Sequence, residues 1–167
     1  MSGFGPHKSS VHHSADPICP KCEITLMWAH PEFIPVWKAI KTKFLDAHIS
    51  WTYRDKDSQE EAFKERKSNA HFPNSPHNKT DAKGNKCSHA IDLFQITSEH
   101  PEGLWKEEWF EEIATYIVAL FPFVFWGGKF KSIHDGDHYE IEFDAAGNPT
   151  LPAPAGTSPI IIPAKRC

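Results

Sequence analysis

The sequence lacks any long apolar run. No stretch of its 167 residues approaches the ~18 consecutive apolar residues that a membrane-spanning helix needs, so we expect no membrane insertion. The first residues, Met1 to Lys8, also lack the apolar core of a secretory signal. We therefore expect synthesis in a cytoplasm, and any action outside it would need a separate route of delivery.

Clustered positive charge is missing as well. The formal net charge is -4, the pI is about 6.2, and the basic residues are interspersed with acidic ones. Because nucleic-acid-binding proteins usually carry a basic patch or stripe, we expect no nucleic-acid partner. A hydrophobic share of 40% with 13% aromatic residues indicates one packed globular domain.

Cysteine is scarce, with four residues: Cys19, Cys22, Cys87 and Cys167. Without a secretory signal, we expect free thiols rather than disulfides. Cys19 and Cys22 form a Cys-x-x-Cys motif, but no second such motif completes a four-ligand zinc site. The first interpretation is unassigned thiols, the second an irregular zinc site with Cys87 or Cys167, and the last a redox pair.

Hydrophobic periodicity predicts a mixture of helices and strands. Helical spacing occurs at 31–45, 58–66 and 102–121, and strand-like patterns occur at 49–54, 90–97, 123–126 and 138–143. Asp57 is the predicted N-cap of the second helix, and a turn at Gly127-Gly128 joins the last two strands in antiparallel fashion. The pattern predicts an α+β fold with helices packed on one side of a small, mostly antiparallel sheet.

Imidazole and carboxylate groups recur at three separate places. His77 lies in a polar loop, Asp92 lies in an apolar strand-like run, and His138 opens a strand three residues after Asp135. A carboxylate in an apolar run must be paired, hydrogen-bonded or metal-bound, because burying it alone is costly. Three protein ligands with one position left open are typical of a catalytic zinc site. A salt bridge from Asp92 to Arg54 or a lysine is the structural alternative.

The order of these motifs resembles a known family. Ser-x-His, then Ala-x-Asp-Leu, then Trp-Gly-Gly followed by Asp-x-x-His-Tyr-Glu resembles the zinc D,D-carboxypeptidase and L-alanyl-D-glutamate peptidase family of bacterial cell-wall enzymes and phage endolysins. The segment Tyr53-Arg54 with Gln59 is similar to the family's segment ahead of the first ligand. The resemblance extends from about residue 31 to residue 143.

The resemblance implies a Hedgehog/D,D-peptidase-like fold and a zinc peptidase domain over residues 23–144. Residues 1–22 would then be a flexible leader and residues 145–167 a proline-rich extended tail. The family's Zn²⁺ ligands would correspond to His77, Asp92 and His138. Asp135 would accept the proton of the attacking water and pass it to the leaving amine. Asp137 is the alternative carboxylate.

The resemblance also implies the substrate and its binding residues. Arg54 would hold a carbonyl or carboxylate of the substrate, with Gln59 and Ser75 in support. The substrate would be the peptide stem of peptidoglycan, cut at L-alanyl-D-glutamate by a monomer that acts in a phage lysis system or a virion. A D-alanyl-D-alanine carboxypeptidase or dipeptidase, and a non-catalytic zinc-binding module, are the alternatives.

The first ligand is where the sequence departs from the family. His77 and Asp92 are fifteen residues apart, which is more than the family usually has, and an inserted hairpin or loop at 80–86 would explain the difference. His89 is the competing ligand. Because residues three apart on a strand point to opposite faces, His89 and Asp92 could share a metal only if the strand began after His89. We therefore predict His77 as the ligand.

Overall fold

The computed structural model describes residues 19–131 and 133–151. The predicted leader up to residue 18 and the tail from residue 152 lie outside these described residues. The elements, in chain order, are the helices and strands α1 (Pro20–Leu26), α2 (Phe33–Lys43), β1 (Ala47–Trp51), α3 (Lys56–Lys64), β2 (Ala90–Gln95), α4 (Glu107–Leu120), β3 (Val124–Trp126) and β4 (His138–Ile141), with 3₁₀ turns at Pro76–Asn78 and Gly127–Lys129.

The four strands form one antiparallel sheet in the order β1-β2-β4-β3. Since β2 is flanked on both sides, all but its last residue are buried. Alternation along the strand places Ile91 and Leu93 in the hydrophobic core and turns Asp92 to the opposite face. The predicted α+β architecture is confirmed.

Helices α1, α2 and α4 contribute the other half of the core. Phe33, Val36 and Ile40 of α2 are fully buried, as their helical spacing predicts. Tyr139 of β4 is fully buried too, and its hydroxyl donates to the carbonyl of Phe110 in α4 at 2.8 Å. This packing fixes β4, the strand on which His138 lies. No helix in the described ranges is both long and apolar enough to cross a membrane.

Helix α4 starts later than the sequence predicts. Leu104 forms a bridge with Gln95 instead of a helical turn, and Trp105 is 56% exposed while stacking on Phe94 with 5.5 Å between ring centroids. Leu120 is 52% exposed. The buried face is formed by other residues of the helix, namely Phe110, Ile113, Ala114 and Ile117.

The predicted N-cap of α3 was wrong by two residues. The cap is Asp55, whose carboxylate accepts a hydrogen bond from the amide of Ser58 at 2.9 Å. Asp55 has an extended backbone, as an N-cap requires, whereas Asp57 already lies within the first turn. Helix α3 therefore begins directly after the Tyr53-Arg54 segment.

The cysteines depart from the prediction in two ways. Cys19 caps α1 and Cys22 lies within it, and both are buried, so the Cys-x-x-Cys motif belongs to the folded domain rather than to a flexible leader. Neither is in a disulfide bond, as expected. Cys87, however, is disulfide-bonded, so the expectation of free thiols is wrong for this residue.

The insertion between His77 and Asp92 is a tight hairpin, one of the two forms that the sequence predicted. Thr80 and Lys86 pair across it, and Gly84 takes the left-handed backbone conformation at φ 82° that its turn requires. The carboxylate of Asp81 accepts hydrogen bonds from two amides of the turn. The longer spacing is therefore absorbed outside the site.

Candidate metal centre

His77 is presented by a capped 3₁₀ turn. The Ser75 hydroxyl accepts a hydrogen bond from the His77 amide at 3.3 Å, and the side chain of Asn78 accepts one from the Ser75 amide at 3.2 Å. Pro76 occupies the first position of the turn, where its missing N–H costs nothing. This reciprocal capping fixes the backbone at His77, whose side chain is buried.

Asp92 and His138 lie on neighbouring strands. They are direct partners in the register of β2 and β4. Directly opposed side chains in an antiparallel pair lie on the same face with their Cβ atoms about 5 Å apart. Because Ile91 and Tyr139 flank the pair and point into the core, Asp92 and His138 share the opposite face, beside the turn that carries His77.

The three side chains converge at one point. His77 Nε2 lies 3.1 Å from Asp92 Oδ1 and 3.2 Å from His138 Nδ1, and the latter two atoms are 2.9 Å apart. Ligands of one tetrahedral zinc ion at 2.0–2.1 Å would be about 3.4 Å apart. These three buried groups can therefore hold one metal ion after a shift of a few tenths of an ångström.

Hydrogen bonds fix the free nitrogen of each imidazole. His77 Nδ1 donates to the carbonyl of Thr52 at 2.5 Å, which leaves Nε2 as the lone-pair nitrogen. His138 Nε2 donates to the Glu140 carboxylate at 2.9 Å, so Nδ1 is the nitrogen that a metal ion could take. His77 Nε2 and His138 Nδ1 both face Asp92. Metal-binding histidines are usually oriented in this way by a carboxylate or backbone carbonyl.

The charges of the cluster are unevenly distributed. Burial, reinforced by the nearby Arg54, lowers the pKa of His77, so its imidazole is neutral. Although burial opposes protonation of His138, its hydrogen bonds to Asp92 and Glu140 raise its pKa to about 10. Without a metal, Nδ1 therefore donates a proton to Asp92, and a metal ion would displace that proton. Burial likewise opposes ionisation of Asp92, yet His77 and Arg54 hold the pKa of that carboxyl well below its usual range.

The fold around this cluster is similar to that of a known endopeptidase. The crystal structure of the Serratia marcescens L-Ala D-Glu endopeptidase ChiX aligns with a TM-score of 0.59 at 21% sequence identity. The alignment covers 75% of this chain and 90% of that chain. No protein-family model and no curated protein matches the sequence. At this identity, the likeness shows a related fold.

Arg54 lies against the candidate centre. Its guanidinium forms an ion pair with Asp92 Oδ2, the carboxylate oxygen that does not face the histidines. The Arg54 side chain is only 13% exposed, and its amide donates to the carbonyl of His77 at 2.9 Å. The structural alternative that the sequence offered for Asp92, a salt bridge to Arg54, therefore exists together with the histidine contacts.

Gln59 and Ser75 form hydrogen bonds within the loop around His77. Gln59 is 0% exposed, and its amide nitrogen donates to Ser68 Oγ at 2.9 Å and to the Ala70 carbonyl at 2.7 Å. Ser75 is 3% exposed and is used in the cap described above. Both side chains support the segment that presents the first histidine, and neither is open to solvent.

His89, the competing first ligand, lies elsewhere. Its ring packs on Phe143 with 4.4 Å between centroids and edge-on to His30 at 5.8 Å. Burial, together with the nearby His30 and Lys79, lowers the pKa of His89 to about 4. The structure thus brings His77 to Asp92 and His138, and leaves His89 in a separate aromatic cluster.

The two candidate bases, Asp135 and Asp137, are close together. Their side chains are hydrogen-bonded, and burial, followed by the nearby Asp92 and Asp135, raises the pKa of Asp137 to about 8. The Asp135 amide donates to the carbonyl of Gly127 at 3.2 Å. A side chain at Gly127 would meet the backbone carbonyl of Asp135 and the Cβ of His138, so this glycine allows the close approach.

The sequence analysis assigned no role to two groups of the site, the Glu140 carboxylate and the Thr52 carbonyl. Glu140 could have been found, because a His-x-Glu pattern on a strand places both side chains on one face. The carbonyl of Thr52 could not, since any residue supplies a backbone oxygen. Its position depends on β1 ending beside the His77 turn.

Proposed function

We propose that this protein is a zinc peptidase that cleaves the peptide stem of peptidoglycan at the L-alanyl-D-glutamate bond. The observation that carries the proposal is the convergence of His77, Asp92 and His138 at one buried point. The related fold of an L-Ala D-Glu endopeptidase supports it, as do the ordered motifs in the sequence. The biological setting that we propose, on the sequence resemblance alone, is phage lysis.

The donor set fits zinc better than the hard cations. Two neutral imidazole nitrogens and one carboxylate oxygen are common ligands of catalytic zinc, whereas Mg²⁺ and Ca²⁺ prefer oxygen ligands. When bound, Zn²⁺ supplies a Lewis acid that makes water nucleophilic at neutral pH and polarises a carbonyl oxygen. His77, Asp92 and His138 would hold it, with Thr52 and Glu140 orienting the two imidazoles.

Asp135 is the proposed proton carrier. It would take the proton of the attacking water and deliver it to the nitrogen of the leaving D-glutamate. Its loop is tied to the site through Gly127, and its carboxyl group is hydrogen-bonded to Asp137. Asp137 would therefore orient Asp135 rather than replace it, because Asp137 immediately precedes His138 at the start of β4 and neighbouring strand residues point to opposite faces.

We propose two tasks for Arg54. Its ion pair with Asp92 orients that carboxylate for metal binding. The guanidinium has further N–H donors, and these would bind a carbonyl or carboxylate of the stem peptide, a task that its planar fork suits. We propose an indirect role for Gln59 and Ser75, which fix the loop that carries His77.

The test is digestion of purified peptidoglycan by the zinc-loaded protein, followed by mass spectrometry of the products. We expect fragments with new L-alanine C-termini and new D-glutamate N-termini. His77→Ala and Asp135→Asn should abolish them. His89→Ala is the matched control, since this histidine is three residues from Asp92 but belongs to another cluster, and it should retain the activity.

Other products would assign another activity. Release of free D-alanine would indicate a D,D-carboxypeptidase, and release of the D-alanyl-D-alanine dipeptide a dipeptidase. No product from a protein with zinc bound at His77, Asp92 and His138 would reject the peptidase and leave a zinc-binding module. Circular dichroism spectra of each variant would show that it is folded.

A further inference from the structure

A second cluster of metal-ligating side chains lies where α1 meets β1. Cys19, Cys22 and His48 are 4%, 0% and 2% exposed, and one donor atom of each lies within 4.8 Å of the others. The proposed peptidase chemistry uses none of them. We propose that Cys19, Cys22 and His48 supply three of the four ligands of a zinc ion, at a second site that stabilises the fold and is separate from the peptidase centre.

The geometry and chemistry of the donors favour zinc. Cys22 Sγ lies 3.6 Å from His48 Nδ1, which is about the separation expected for a sulfur at 2.3 Å and a nitrogen at 2.0–2.1 Å from one tetrahedral zinc. The Cys-x-x-Cys spacing is a common zinc-binding half-site. Thiolate and imidazole ligands select zinc or other soft transition metals over Mg²⁺ and Ca²⁺.

Backbone amides already point at the sulfur atoms. The amide of Cys22 donates to Cys19 Sγ at 3.4 Å, and the amide of Ile49 donates to Cys22 Sγ at 3.4 Å. The Ile49 N–H favours the Cys22 thiolate, which is the form that binds metal, whereas the hydrogen bond with the Cys19 thiol and burial raise the pKa of Cys22 in the metal-free protein. The Ile49 amide belongs to the edge of β1 that β2 does not use, so α1 lies along this edge.

A redox pair is the competing use of Cys19 and Cys22. Neither cysteine is in a disulfide bond, and both are buried, whereas a redox-active cysteine must be reached by the thiol or disulfide with which it exchanges. The zinc site suggested by the sequence included Cys87 or Cys167 as partners. Cys87 is disulfide-bonded, and His48 supplies the third donor instead. Cys167 lies outside the described residues.

A metal here would anchor a helix that cannot be stable alone. Helix α1 has seven residues, and isolated helices shorter than about 12 residues are marginal in water. The carbonyl of Thr25 in α1 accepts a hydrogen bond from Thr52 Oγ1 at 2.7 Å, and the Thr52 carbonyl orients His77. Fixing α1 to β1 therefore also fixes a support of the first metal centre.

The test separates the two centres by using cobalt. We would prepare the full chain with His77→Ala and His138→Ala, reduce it under conditions that leave the protein folded, and titrate it with Co²⁺. We expect one bound equivalent and a thiolate-to-cobalt charge-transfer absorption, which imidazole and carboxylate ligands cannot produce. Adding Cys22→Ser should remove both. His71→Ala, which changes an exposed histidine, should remove neither.

Unaltered protein provides a second measurement if Cys22→Ser does not fold. It should bind two equivalents of zinc, and its cobalt form should show the same charge-transfer absorption. His48→Gln, which keeps both thiols, should weaken cobalt binding at least tenfold. No charge-transfer absorption in the unaltered protein, or one equivalent of zinc that is lost with His77→Ala, would overturn the second site. None of these measurements depends on peptidase activity. Failure of the second zinc site can therefore be distinguished from failure of the proposed peptidase function.

Discussion

The Nε2 atom of His138 lies 2.9 Å from the carboxylate of Glu140, two residues further along the same strand. This hydrogen bond determines which nitrogen of His138 can bind a metal, because Nε2 keeps its proton on Glu140 and only Nδ1 can give its proton up. Nδ1 is 2.9 Å from Asp92. The position of one carboxylate on β4 therefore aims a histidine at the candidate centre.

Replacing Glu140 should weaken metal binding without removing a ligand. Glu140→Gln keeps an acceptor for the His138 proton but removes the negative charge that raises the basicity of the imidazole. We expect zinc affinity to fall about 10- to 100-fold, measured by competition with a chromophoric chelator. Glu142→Gln is the control, because this side chain is exposed and lies beyond the end of β4. Equal affinity in both variants would contradict the assigned role.

Ser75→Ala should loosen the turn that presents His77. The change removes the hydroxyl that accepts the His77 amide hydrogen bond and leaves a buried donor unpaired. We expect the free energy of unfolding of the metal-free protein to fall by about 1 kcal/mol, measured by urea unfolding, with a weaker zinc affinity. Ser98→Ala, at an exposed bend, should change neither quantity. An unchanged zinc affinity in Ser75→Ala would show that the cap does not position His77.

The His30–His89 cluster should make the protein sensitive to mild acid. The pKa of His89 is lowered to about 4 in the folded state, from an ordinary value near 6.5. Below pH 6.5 the unfolded chain therefore binds a proton at His89 that the folded chain rejects. Stability from this group is complete above pH 6.5 and is lost as the pH falls towards 4.

We expect His89→Gln to remove this part of the acid sensitivity. Between pH 7 and pH 4.5 the unaltered protein should lose about 1 to 2 kcal/mol more unfolding free energy than the variant, an estimate reduced because His89 is partly exposed. Urea unfolding of both metal-free proteins across this range measures the difference. The metal-site histidines are present in both proteins, so their contribution to the pH dependence cancels in the difference. Parallel pH profiles would contradict the lowered pKa.

Gly127→Ala should disturb the proposed base without removing it. The added Cβ would press on the backbone carbonyl of Asp135 and on His138, so the loop must move. We expect kcat to fall at least about tenfold, because a displacement of about 1 Å in a catalytic group is costly. Zinc content, measured in parallel, should remain near that of the unaltered protein. Full activity would show that the position of Asp135 is not critical.

The sequence predicted those features that local patterns determine. Alternation around Asp92 placed its neighbours Ile91 and Leu93 in the core, and the long spacing between His77 and Asp92 indicated an inserted hairpin or loop at 80–86. The choice of His77 over His89 followed from the two-residue period of a strand. Each of these depends on the geometry of a single segment.

Features that depend on distant segments were not predictable in the same way. Helix α1 is short and has little periodicity, so its stability comes from packing on β1. His48 gave no signal because nothing near it in sequence indicates Cys22. Trp105 and Leu120 fit a helical pattern, but Leu104 pairs with Gln95, which delays the start of α4 and changes which residues face the core.

The most direct test of the central claim is the hydrolysis of a defined stem peptide while zinc is titrated into metal-free protein. The substrate would contain one L-alanyl-D-glutamate bond, and its cleavage would be followed by mass spectrometry. We predict that the rate rises with zinc until the His77, Asp92 and His138 centre is filled, and that His77→Ala shows no rise. Full hydrolysis without metal, or none after this centre has bound zinc, would contradict the account.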